Sequence, residues 1–548
     1  MALIDEILMS RGYTTKQARE AFLSPDYAKE RHDPFLLPDM DKAVERLVVA
    51  QKKKERVVIY GDYDIDGLTA STVLLDSFTK FGIDTSVFIP NRFVEGYGLS
   101  GDALERIAEG GGQLVVTVDC GSLSHKEIEH ANSLGLEVIV TDHHTVADTM
   151  PNAVAVINPK RPGHSYPFID LAGVGVAFKL VQALQTRLEG LPDGHEKWLL
   201  DLVAFGTVCD VVELTGENRA NVFWGLKVMQ KTGRIGLKML LAVSRIETDA
   251  INARALGFGL GPRLNASGRL KTAQYALDLL TATDRKTALA LADELDALNV
   301  ERRVEQDRIF VAASEQALLY ENDSVLVVSD PSWSHGIIGI VAAKLLEAYH
   351  KPTFVLQELD DGIAKGSARS FGDFSAVSGI RATEELLVKG GGHKLAAGVT
   401  LETVKISEWR TSINAYYRTL KLENQEQHFL AKADVVTDSF KAFDESLLTE
   451  LARLEPYGHG NPEPIFCVQN VQVSGRRTMG SDGQHVRYTF EDSHGHYFSA
   501  VAWRMSDKYT YDIGETVDVW IELTLNEWRG RRSVEGRMVR LQEAQDKE

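Results

Sequence analysis

The chain has 548 residues, of which 60 are Lys or Arg and 78 are Asp or Glu, so its formal net charge is −18 at pH 7. With 44% hydrophobic and 25% charged residues it has the composition of a globular protein, which excludes a disordered or fibrous chain. The acidic balance argues against a polyanionic partner such as nucleic acid, unless the positive charges are gathered at particular positions.

The sequence has no pattern typical of secretion or of a membrane span. Its first ten residues include Asp5 and Glu6 and lack the basic start and apolar run of a signal peptide. Among the longest apolar runs is IIGIVAAKLL, well short of the ~18 residues that a span requires. Three cysteines are too few for a disulfide framework and indicate a reducing compartment. These features predict a soluble, cytoplasmic protein.

The predicted elements divide the chain into five segments. Residues 1–45 are expected to form a helical arm. Over 46–283, apolar strands alternate with helices of about a dozen residues, which is typical of βαβ units and a buried parallel sheet. Residues 284–322 have leucines at helical spacing and predict one connecting helix of ~50 Å, with two shorter helices as the alternative. A second α/β segment follows over 323–425, and strand-like runs over 426–548 predict a small all-β domain.

Three carboxylates follow the first predicted strand, in the run YGDYDIDG. Asp62, Asp64 and Asp66 occupy alternate positions, and alternate residues of an extended chain face the same way. Neighbouring carboxylates repel one another unless a cation lies between them. An EF-hand calcium loop is excluded, because its twelfth position requires Glu and is Val73 here. For this motif by itself, a solvated acidic turn stays open.

Further candidate metal ligands lie at the ends of two other predicted strands and of one apolar helix. They are Asp119 after LVVTV, Asp142, His143 and His144 after LEVIVT, and Asp210 after LVAFGTVC. Because ligands bind beyond the carboxyl ends of parallel strands, we expect these side chains to converge. Mixed carboxylate and imidazole ligands suit Mn²⁺ better than Mg²⁺. The number of donors suits two divalent ions ~3.5–4 Å apart.

Positive charge is concentrated in short stretches that contain no acid. Residues 254–271 include Arg263, Arg269 and the small polar residue Asn265 within GPRLNASGR, a combination suited to phosphate, although a basic surface loop is the alternative. The second α/β segment adds KGSARS and GGGHKLAAG, whose consecutive glycines can bring backbone N–H groups close to a phosphate. In the all-β segment, NEWRGRR around Trp528 is the best candidate for contact with a strand of nucleic acid. Most other aromatic side chains of this segment are expected to lie in its core.

These motifs together resemble those of a known superfamily. GDYDIDG, VTVDCG, VTDHH and GTVCDVV resemble the four successive motifs of the DHH phosphoesterases, and GGGHKLAAG resembles the signature of the DHH-associated domain. With GPRLNASGRL and EPYGHGNPEP, the chain resembles the RecJ family of bacterial exonucleases over essentially its entire length.

The resemblance implies a fold and an activity. The fold is α/β, with a two-lobed DHH core containing a parallel sheet, a long helix joining it to a DHH-associated α/β lobe, and a C-terminal all-β, OB-like domain. The activity is 5′→3′ degradation of single-stranded DNA by metal-dependent phosphodiester hydrolysis, in DNA repair and recombination. Two divalent ions, Mn²⁺ or Mg²⁺, are the implied cofactors. Single-stranded DNA is the implied partner, alongside a helicase and a single-strand-binding protein, and the chain is expected to be a monomer.

The resemblance also implies roles for individual residues. The expected metal ligands are Asp64, Asp66, Asp119, His143 and Asp210. The expected catalytic or substrate-facing groups next to them are Asp62 and His144. The expected contacts to the strand are Arg92, Arg263 and Ser367 at its terminal phosphate, Arg369 and His393 at the scissile or adjacent phosphates, and Asn265, Arg269 and Gly392. Many superfamily members have a histidine where this chain has Tyr60, which leaves one metal site with a ligand fewer.

Two other functions are consistent with parts of the sequence. One is a relative that hydrolyses small nucleotides such as cyclic dinucleotides, but such chains resemble only the two lobes and lack the all-β segment. The other is a catalytically inactive scaffold or strand-binding protein. Inactive relatives lose the acids of the metal motifs, whereas Asp64, Asp66, Asp119 and Asp210 are all present here.

Overall fold

A five-stranded parallel sheet forms the centre of the first α/β lobe. The computed structural model describes residues 3–423, 425–506, 508–528 and 530–544. The strands of this sheet are β1 (Val57–Gly61), β2 (Thr85–Phe88), β3 (Leu114–Val118), β4 (Glu137–Thr141) and β5 (Ala155–Ile157). They are ordered β2-β1-β3-β4-β5, and every neighbouring pair is parallel. The carboxyl ends of β1, β3 and β4 therefore lie side by side.

Helices cover both faces of this sheet and extend beyond it. The helices up to the end of the first lobe are α1 (Leu3–Ser10), α2 (Lys16–Leu23), α3 (Met40–Lys53), α4 (Ile65–Lys80), α5 (Gly101–Glu109), α6 (His125–Ser133), α7 (Gly173–Gln185), α8 (Leu200–Cys209), α9 (Gly216–Met229), α10 (Ile235–Ser244), α11 (Gly261–Leu270) and α12 (Gln274–Thr281). Helix α3 contributes Met40, Val44 and Leu47 to the core of this lobe. The predicted end of the arm at residue 45 thus falls inside a helix that belongs to the lobe.

The stretch GPRLNASGRL is helical, so the alternative of a basic surface loop does not hold for it. It forms α11, and a π-helix over Ala255–Leu260 leads directly into it. Pro262 lies in the first turn of α11, where its missing N–H leaves no hydrogen bond unmade. Helix α11 therefore carries Arg263 and Arg269.

A single helix connects the two α/β lobes. Helix α13 (Arg285–Leu319) has 35 residues, which corresponds to ~50 Å. Asp284 caps its first turn by accepting a hydrogen bond from the backbone N–H of Thr287 at 2.9 Å. The alternative of two shorter helices is therefore excluded. The helix contacts α10, α11 and α12 of the first lobe and α14 of the second.

The second α/β lobe is built on a mixed sheet. Its strands are β6 (Leu326–Asp330), β7 (Thr353–Glu358), β8 (Ile363–Arg369), β9 (Lys389–Gly392) and β10 (Ala396–Glu402), in the order β6-β7-β8-β10-β9. Its helices are α14 (His335–Tyr349), α15 (Ala376–Ala382) and α16 (Ile406–Thr419). The stretches KGSARS and GGGHKLAAG lie in β8 and in the β9–β10 hairpin, so both belong to one sheet.

The C-terminal domain is a closed barrel, as expected for an OB-like fold. It contains β11 (Val435–Thr437), α17 (Glu445–Leu451), β12 (Phe466–Met479), β13 (His485–Glu491), β14 (Tyr497–Ala502), β15 (Thr516–Trp528) and β16 (Arg531–Glu543). Pairing of β12 with β15 closes five strands in the order β12-β13-β14-β16-β15. Tyr488 and Phe498 are buried in the barrel, whereas Trp503 is exposed. Arg529 and the side chain of Trp528 lie outside the described residues.

The first two helices of the chain belong to the core of the last domain. Ile4, Ile7, Leu8 and Phe22 are buried against apolar residues of the barrel domain. The guanidinium of Arg219, on α9, lies 3.7 Å from the ring centroid of Phe22. The N-terminal arm therefore ties the barrel to the first lobe. None of the helices in the described part of the chain is long and apolar enough to cross a membrane.

Candidate metal centre and substrate channel

The loop after β1 and the start of α4 carry the three carboxylates of YGDYDIDG. Asp64 is the N-cap of α4, and its carboxylate accepts a hydrogen bond from the backbone N–H of Gly67 at 3.1 Å. Gly67 approaches so closely that a Cβ there would lie 2.5 Å from the carbonyl oxygen of Asp62. Asp66 lies in the first helical turn, so the expectation that all three carboxylates share one side of an extended chain was wrong. Oxygens of Asp62 and Asp64 lie near Asp119, and those of Asp66 near His143.

The N-terminus of α7 holds Asp66 in place. The two oxygens of its carboxylate accept hydrogen bonds from the backbone N–H groups of Gly173, at 2.6 Å, and Val174, at 2.8 Å. A helix N-terminus stabilises negative charge in this position. A Cβ on Gly173 would lie 2.9 Å from oxygens of both Asp66 and Asp119, so no larger residue fits without a shift.

Asp119 follows β3 with a left-handed backbone conformation, φ 60°. Its backbone N–H donates to the carbonyl oxygen of Thr141 at 3.0 Å, which ties it to the end of β4. Its Oδ1 lies 3.1 Å from Nε2 of His143, and the same nitrogen lies 3.6 Å from Oδ2 of Asp210. The buried ends of β3, β4 and α8 therefore converge on one point.

Asp142 positions the histidines, and both of its oxygens accept hydrogen bonds. Its Oδ1 accepts hydrogen bonds from the backbone N–H of His143 and His144 and from Nδ1 of His144, and its Oδ2 accepts one from the N–H of Ser122. Burial opposes its ionisation, but the hydrogen bond from His144 and the histidine charges outweigh it, so the pKa of Asp142 lies below its usual range. A carboxylate that orients an imidazole in this way is common around metal ligands.

The donors around this point fit divalent cations. Three overlapping groups each bring one ligand atom per residue within 4.8 Å of the others: Asp62, Asp64 and Asp119; Asp66, His143 and Asp210; and Asp119, His143 and His144. Buried atoms of these groups make no hydrogen bond within the described residues, namely Asp62 Oδ1, Asp119 Oδ1, both ring nitrogens of His143 and Asp210 Oδ2. Buried polar atoms are normally satisfied, so their grouping here indicates a site for cations.

The electrostatics of the cluster lead to the same conclusion. Burial, followed by the charge of Asp64, raises the pKa of Asp66 to about 7 and that of Asp62 to about 8. Burial, followed by the charge of His144, lowers the pKa of His143 to about 3, so its imidazole is neutral. Carboxylates that repel one another and a neutral imidazole are the forms that a divalent cation would stabilise.

Tyr97 is a neighbour of the centre that the sequence analysis missed. Its hydroxyl lies 3.3 Å from Nε2 of His144, and its side chain is exposed. Tyr60 is not at the centre: it is buried and donates a hydrogen bond to the carbonyl oxygen of Gly98 at 3.0 Å. Tyr60 thus fixes the loop that presents Tyr97. The flanking Gly96 and Gly98, both with positive φ, are the sequence signal for such a tight loop.

Four arginines form a cluster between the two α/β lobes. Burial, followed by the charges of Arg92, Arg302 and Arg369, lowers the pKa of Arg269 to about 10. Arg92 lies 4.0 Å from the ring centroid of Tyr63, between Asp62 and Asp64 in sequence, so the cluster borders the metal centre. None of the four forms an ion pair with an acid in the described part of the chain. Half-buried like charges that no acid pairs indicate a site for an anion.

Arg302 was not predicted as a site residue, because it lies in the connecting helix α13. Its guanidinium donates to the side-chain oxygens of Asn299 at 2.6 Å and Gln306 at 2.7 Å. Both amide side chains are buried. Two neutral acceptors thus orient the guanidinium while its charge stays available. The signal in the sequence is the spacing Asn-x-x-Arg-x-x-x-Gln, which places all three residues on one side of the helix.

The other predicted contacts differ in their surroundings. Arg263 does not belong to the cluster, because its Nε donates to Asp296 at 2.7 Å and its charge is already paired. Arg369 and Ser367 lie on β8, where the guanidinium donates to the serine hydroxyl at 3.3 Å. Gly392 and His393 are exposed at the turn of the β9–β10 hairpin. Strand pairing places that turn at the end of the sheet occupied by Arg369.

A cavity of about 930 Å³ leads away from the metal centre. It is bordered by all three parts of the molecule. Its lining includes Cys209 and Val211 beside Asp210, Asn265 and Arg269 of α11, Arg302 of α13, Ile340 of α14, and Glu522, Leu525 and Arg537 of the barrel domain. The predicted Asn265 and Arg269 thus line it, and Arg263 does not. The cavity therefore extends from Arg269 and Arg302, past the sequence neighbours of Asp210, to the barrel domain.

Family comparisons agree with this arrangement of domains. The model of the DHH family, N-terminal domain, matches residues 56–207, that of the DHHA1 domain matches 322–419, and that of the RecJ OB domain matches 436–539. The parallel sheet with carboxylates and histidines at its carboxyl edge is therefore the catalytic core of a DHH phosphoesterase.

Curated relatives and solved structures identify the family within the DHH phosphoesterases to which the chain belongs. The single-stranded-DNA-specific exonuclease RecJ of Escherichia coli K12 is 35% identical over 560 residues, covering 96% of this chain and 94% of that protein. The protein of the same name from Bacillus subtilis 168 is 36% identical over 97% of this chain, which spans 66% of that relative's length. The crystal structure of Thermus thermophilus RecJ in complex with Mn²⁺ matches with a TM-score of 0.82 and 30% identity, over 99% of this chain and 76% of that one. The chain belongs to the RecJ family.

Proposed function

We propose that this chain is a divalent-metal-dependent exonuclease that degrades single-stranded DNA in the 5′→3′ direction. The observation that carries the proposal is the half-buried arginine cluster, with no ion pair to an acid among the described residues, beside the carboxylate and imidazole groups. A terminal phosphate has the charge and the hydrogen-bond acceptors that such a cluster binds. The E. coli and B. subtilis relatives are named single-stranded-DNA-specific exonucleases, and the Thermus structure contains Mn²⁺.

The residues divide into those that would hold metal and those that would hold the strand. Asp62, Asp64 and Asp119 would hold one divalent ion, and Asp66, His143 and Asp210 a second, with Asp119 near both. Such ions activate water and neutralise the charge that develops on the phosphoryl and leaving oxygens.

The remaining residues would orient the phosphates. Arg92, Arg269 and Arg369 would bind the terminal phosphate, which fixes the distance from that end to the bond that is cleaved. His144, held by Asp142, would hydrogen-bond a non-bridging oxygen of the scissile phosphate. Arg302 would bind a phosphate further along the cavity. A role in DNA repair and recombination, and cooperation with a helicase and a single-strand-binding protein, stay predictions.

The direct test is hydrolysis of single- and double-stranded DNA labelled at either end, with Mn²⁺, Mg²⁺ or EDTA. We expect mononucleotides to be released from the 5′ end of single strands, with either metal and not in EDTA. A 5′ hydroxyl should slow hydrolysis relative to a 5′ phosphate, because the arginine cluster loses its ligand. Equal rates on both termini would contradict the proposed phosphate site.

A variant separates catalysis from binding. Asp119→Asn keeps the shape and tolerates the left-handed conformation, φ 60°, but removes a charged ligand group that belongs to two of the three metal groups. We expect hydrolysis to fall by more than ~100-fold while strand binding persists. Unchanged turnover would contradict the metal assignment. Binding without hydrolysis by the unaltered protein would favour an inactive scaffold, and hydrolysis of dinucleotides alone would favour a small-nucleotide phosphodiesterase.

A further inference from the structure

The wall of the cavity nearest the barrel contains an unusual piece of backbone. Ala255–Leu260 form a π-helix, a conformation that is rare and concentrated at functional sites. Leu256 and Leu260 are buried on one side of it. The thiol of Cys209 lies 3.7 Å from the carbonyl oxygen of Leu256, which anchors the segment next to Asp210. The π-helix thus lies beside the metal centre.

Phe258 lies on the opposite side of this element and is largely exposed. Its side chain is 79% exposed, although it lines the cavity. The guanidinium of Arg254 lies 5.5 Å from its ring centroid, within range of a cation–π contact. The facing wall of the cavity is the strand segment 522–525 of the barrel domain. An open aromatic face is therefore held at the passage between the first lobe and the barrel.

The rest of the cavity specifies what could cover that ring. Arg269 and Arg302 line the same cavity, and two of its three acids, Glu463 and Glu522, are paired with Arg537, so the arginine end of the cavity suits a negatively charged ligand. Val211 and Leu525 also line it with exposed apolar surface, so the ligand has flat or apolar parts as well. An unpaired nucleotide offers both a phosphate and a free base face, whereas the bases of a duplex are stacked on their neighbours. Stacking on aromatic side chains beside basic groups is how proteins hold single strands without reading their sequence.

We propose that Phe258 is a base-stacking platform for one internal nucleotide of the bound single strand, with Arg254 at the edge of the ring and the π-helix fixing its position. This assignment rests on the proposed function, since it takes the strand to run through the cavity. It adds a contact to a base, whereas the arginine cluster contacts phosphates. The nucleotide on Phe258 lies beyond the cleaved bond, on the side of the barrel, so it stabilises the strand that remains bound after each cleavage.

The test is a binding cycle that combines a variant with a modified strand. Affinities of the full chain are measured in EDTA for a single strand and for a set of strands carrying one abasic nucleotide at successive positions. Phe258→Ala is compared with Phe258→Trp, which restores the ring. Trp198→Ala is the matched control, because Trp198 is an exposed aromatic of the first lobe that does not line the cavity.

We expect Phe258→Ala to raise the Kd for the intact strand roughly 5- to 140-fold, which corresponds to the loss of one stacked base, and Phe258→Trp to restore it. An abasic nucleotide at one register should weaken binding by the unaltered protein by a similar factor and have no further effect on Phe258→Ala. If Phe258→Ala binds like Trp198→Ala, or if its effect adds to that of the abasic nucleotide at every register, the inference is overturned.

Failure of the stacking inference can be distinguished from failure of the proposed function. If the proposed function fails, the unaltered protein does not degrade single strands with Mn²⁺ or Mg²⁺. If only the stacking inference fails, the unaltered protein degrades them and no register responds selectively to Phe258. Circular dichroism of the variants checks that the exposed position has been changed without unfolding the lobe.

Discussion

At the scale of single residues, much of the site depends on side chains that would not themselves touch metal or DNA. Asp142 receives four hydrogen bonds and fixes the backbone and ring of His144. Because the Nδ1 atom of His144 faces this carboxylate, its Nε2 atom faces away from it and lies 3.3 Å from the hydroxyl of Tyr97. The role of a residue in this site therefore depends on which of its atoms are already held by hydrogen bonds.

Asp142→Asn should impair the centre although it removes no ligand. All four groups that face the carboxylate are donors, so an amide NH₂ on either side would meet another donor. We expect metal affinity or turnover to fall by ~10–100-fold, as for other carboxylates that orient a ligand histidine. Titration of hydrolysis with Mn²⁺ measures both effects. Asp148→Asn, a loss of the same charge at an exposed position, should leave them unchanged.

The sequence predicted the types of residue at the centre better than their arrangement. Acids and histidines at the ends of β3 and β4 were visible, because parallel strands end at one edge of a sheet. The role of Asp142 was not visible, since it depends on backbone N–H groups. The pairing of Arg263 with Asp296 links positions 33 apart, and no local pattern indicates it. The ligand roles of these residues stay predictions.

At the scale of elements, helix ends and close approaches set the geometry. The N-terminus of α7 supplies the two N–H groups that hold Asp66, and Gly173 permits the approach because it has no side chain. No local pattern indicates this contact, because Gly173 and Asp66 are more than a hundred positions apart. The π-helix and α11 were likewise missed, since Gly and Pro in GPRLNASG are typical of loops.

Gly173→Ala should distort the centre with little effect on helicity. The added Cβ would lie 2.8–2.9 Å from atoms of Asp119 and Asp66, which must then move apart. We expect hydrolysis to fall by ~10-fold or more, because misplaced groups in an active site are costly. Gly175→Ala is the control on the same helix: its Cβ would meet only the side chain of Leu171, at 3.3 Å. Equal activity of the two variants would contradict this role for α7.

At the scale of the whole molecule, the distribution of charge matters more than its sum. The net charge of −18 includes the acids of the metal centre, and the uncompensated arginines line the space between the lobes. An acidic exterior repels DNA elsewhere on the surface. The net charge is thus compatible with a nucleic-acid substrate that is bound inside. The division into two α/β lobes, a connecting helix and a barrel was predictable from strand and helix periodicity, whereas the joining of the first helices to the last domain was not.

The packing of helices α1 and α2 against the barrel domain can be tested by its effect on the free energy of unfolding. Ile7 is fully buried between the arm and the barrel, so Ile7→Ala removes apolar contacts and leaves a cavity. We expect the free energy of unfolding of the barrel domain with helices α1 and α2 to fall by ~2–5 kcal/mol. Urea denaturation monitored by tryptophan fluorescence should show an earlier transition, since Trp503 and Trp520 belong to the barrel domain. Met9→Ala, at an exposed position of the same helix, should have little effect; an equal loss would contradict the packing of the arm.

The same contact has a consequence for the order in which the protein can be made. The apolar residues of α1 and α2 leave the ribosome before their partners between Val435 and Leu541, which come roughly 410 to 540 residues later. At ~5–20 residues per second, they wait roughly 25–110 s before the core that covers them is complete. During that interval Ile4, Ile7, Leu8 and Phe22 present an uncovered apolar surface to other nascent chains and to chaperones. Assembly of this core therefore depends on the return of the barrel domain to helices α1 and α2.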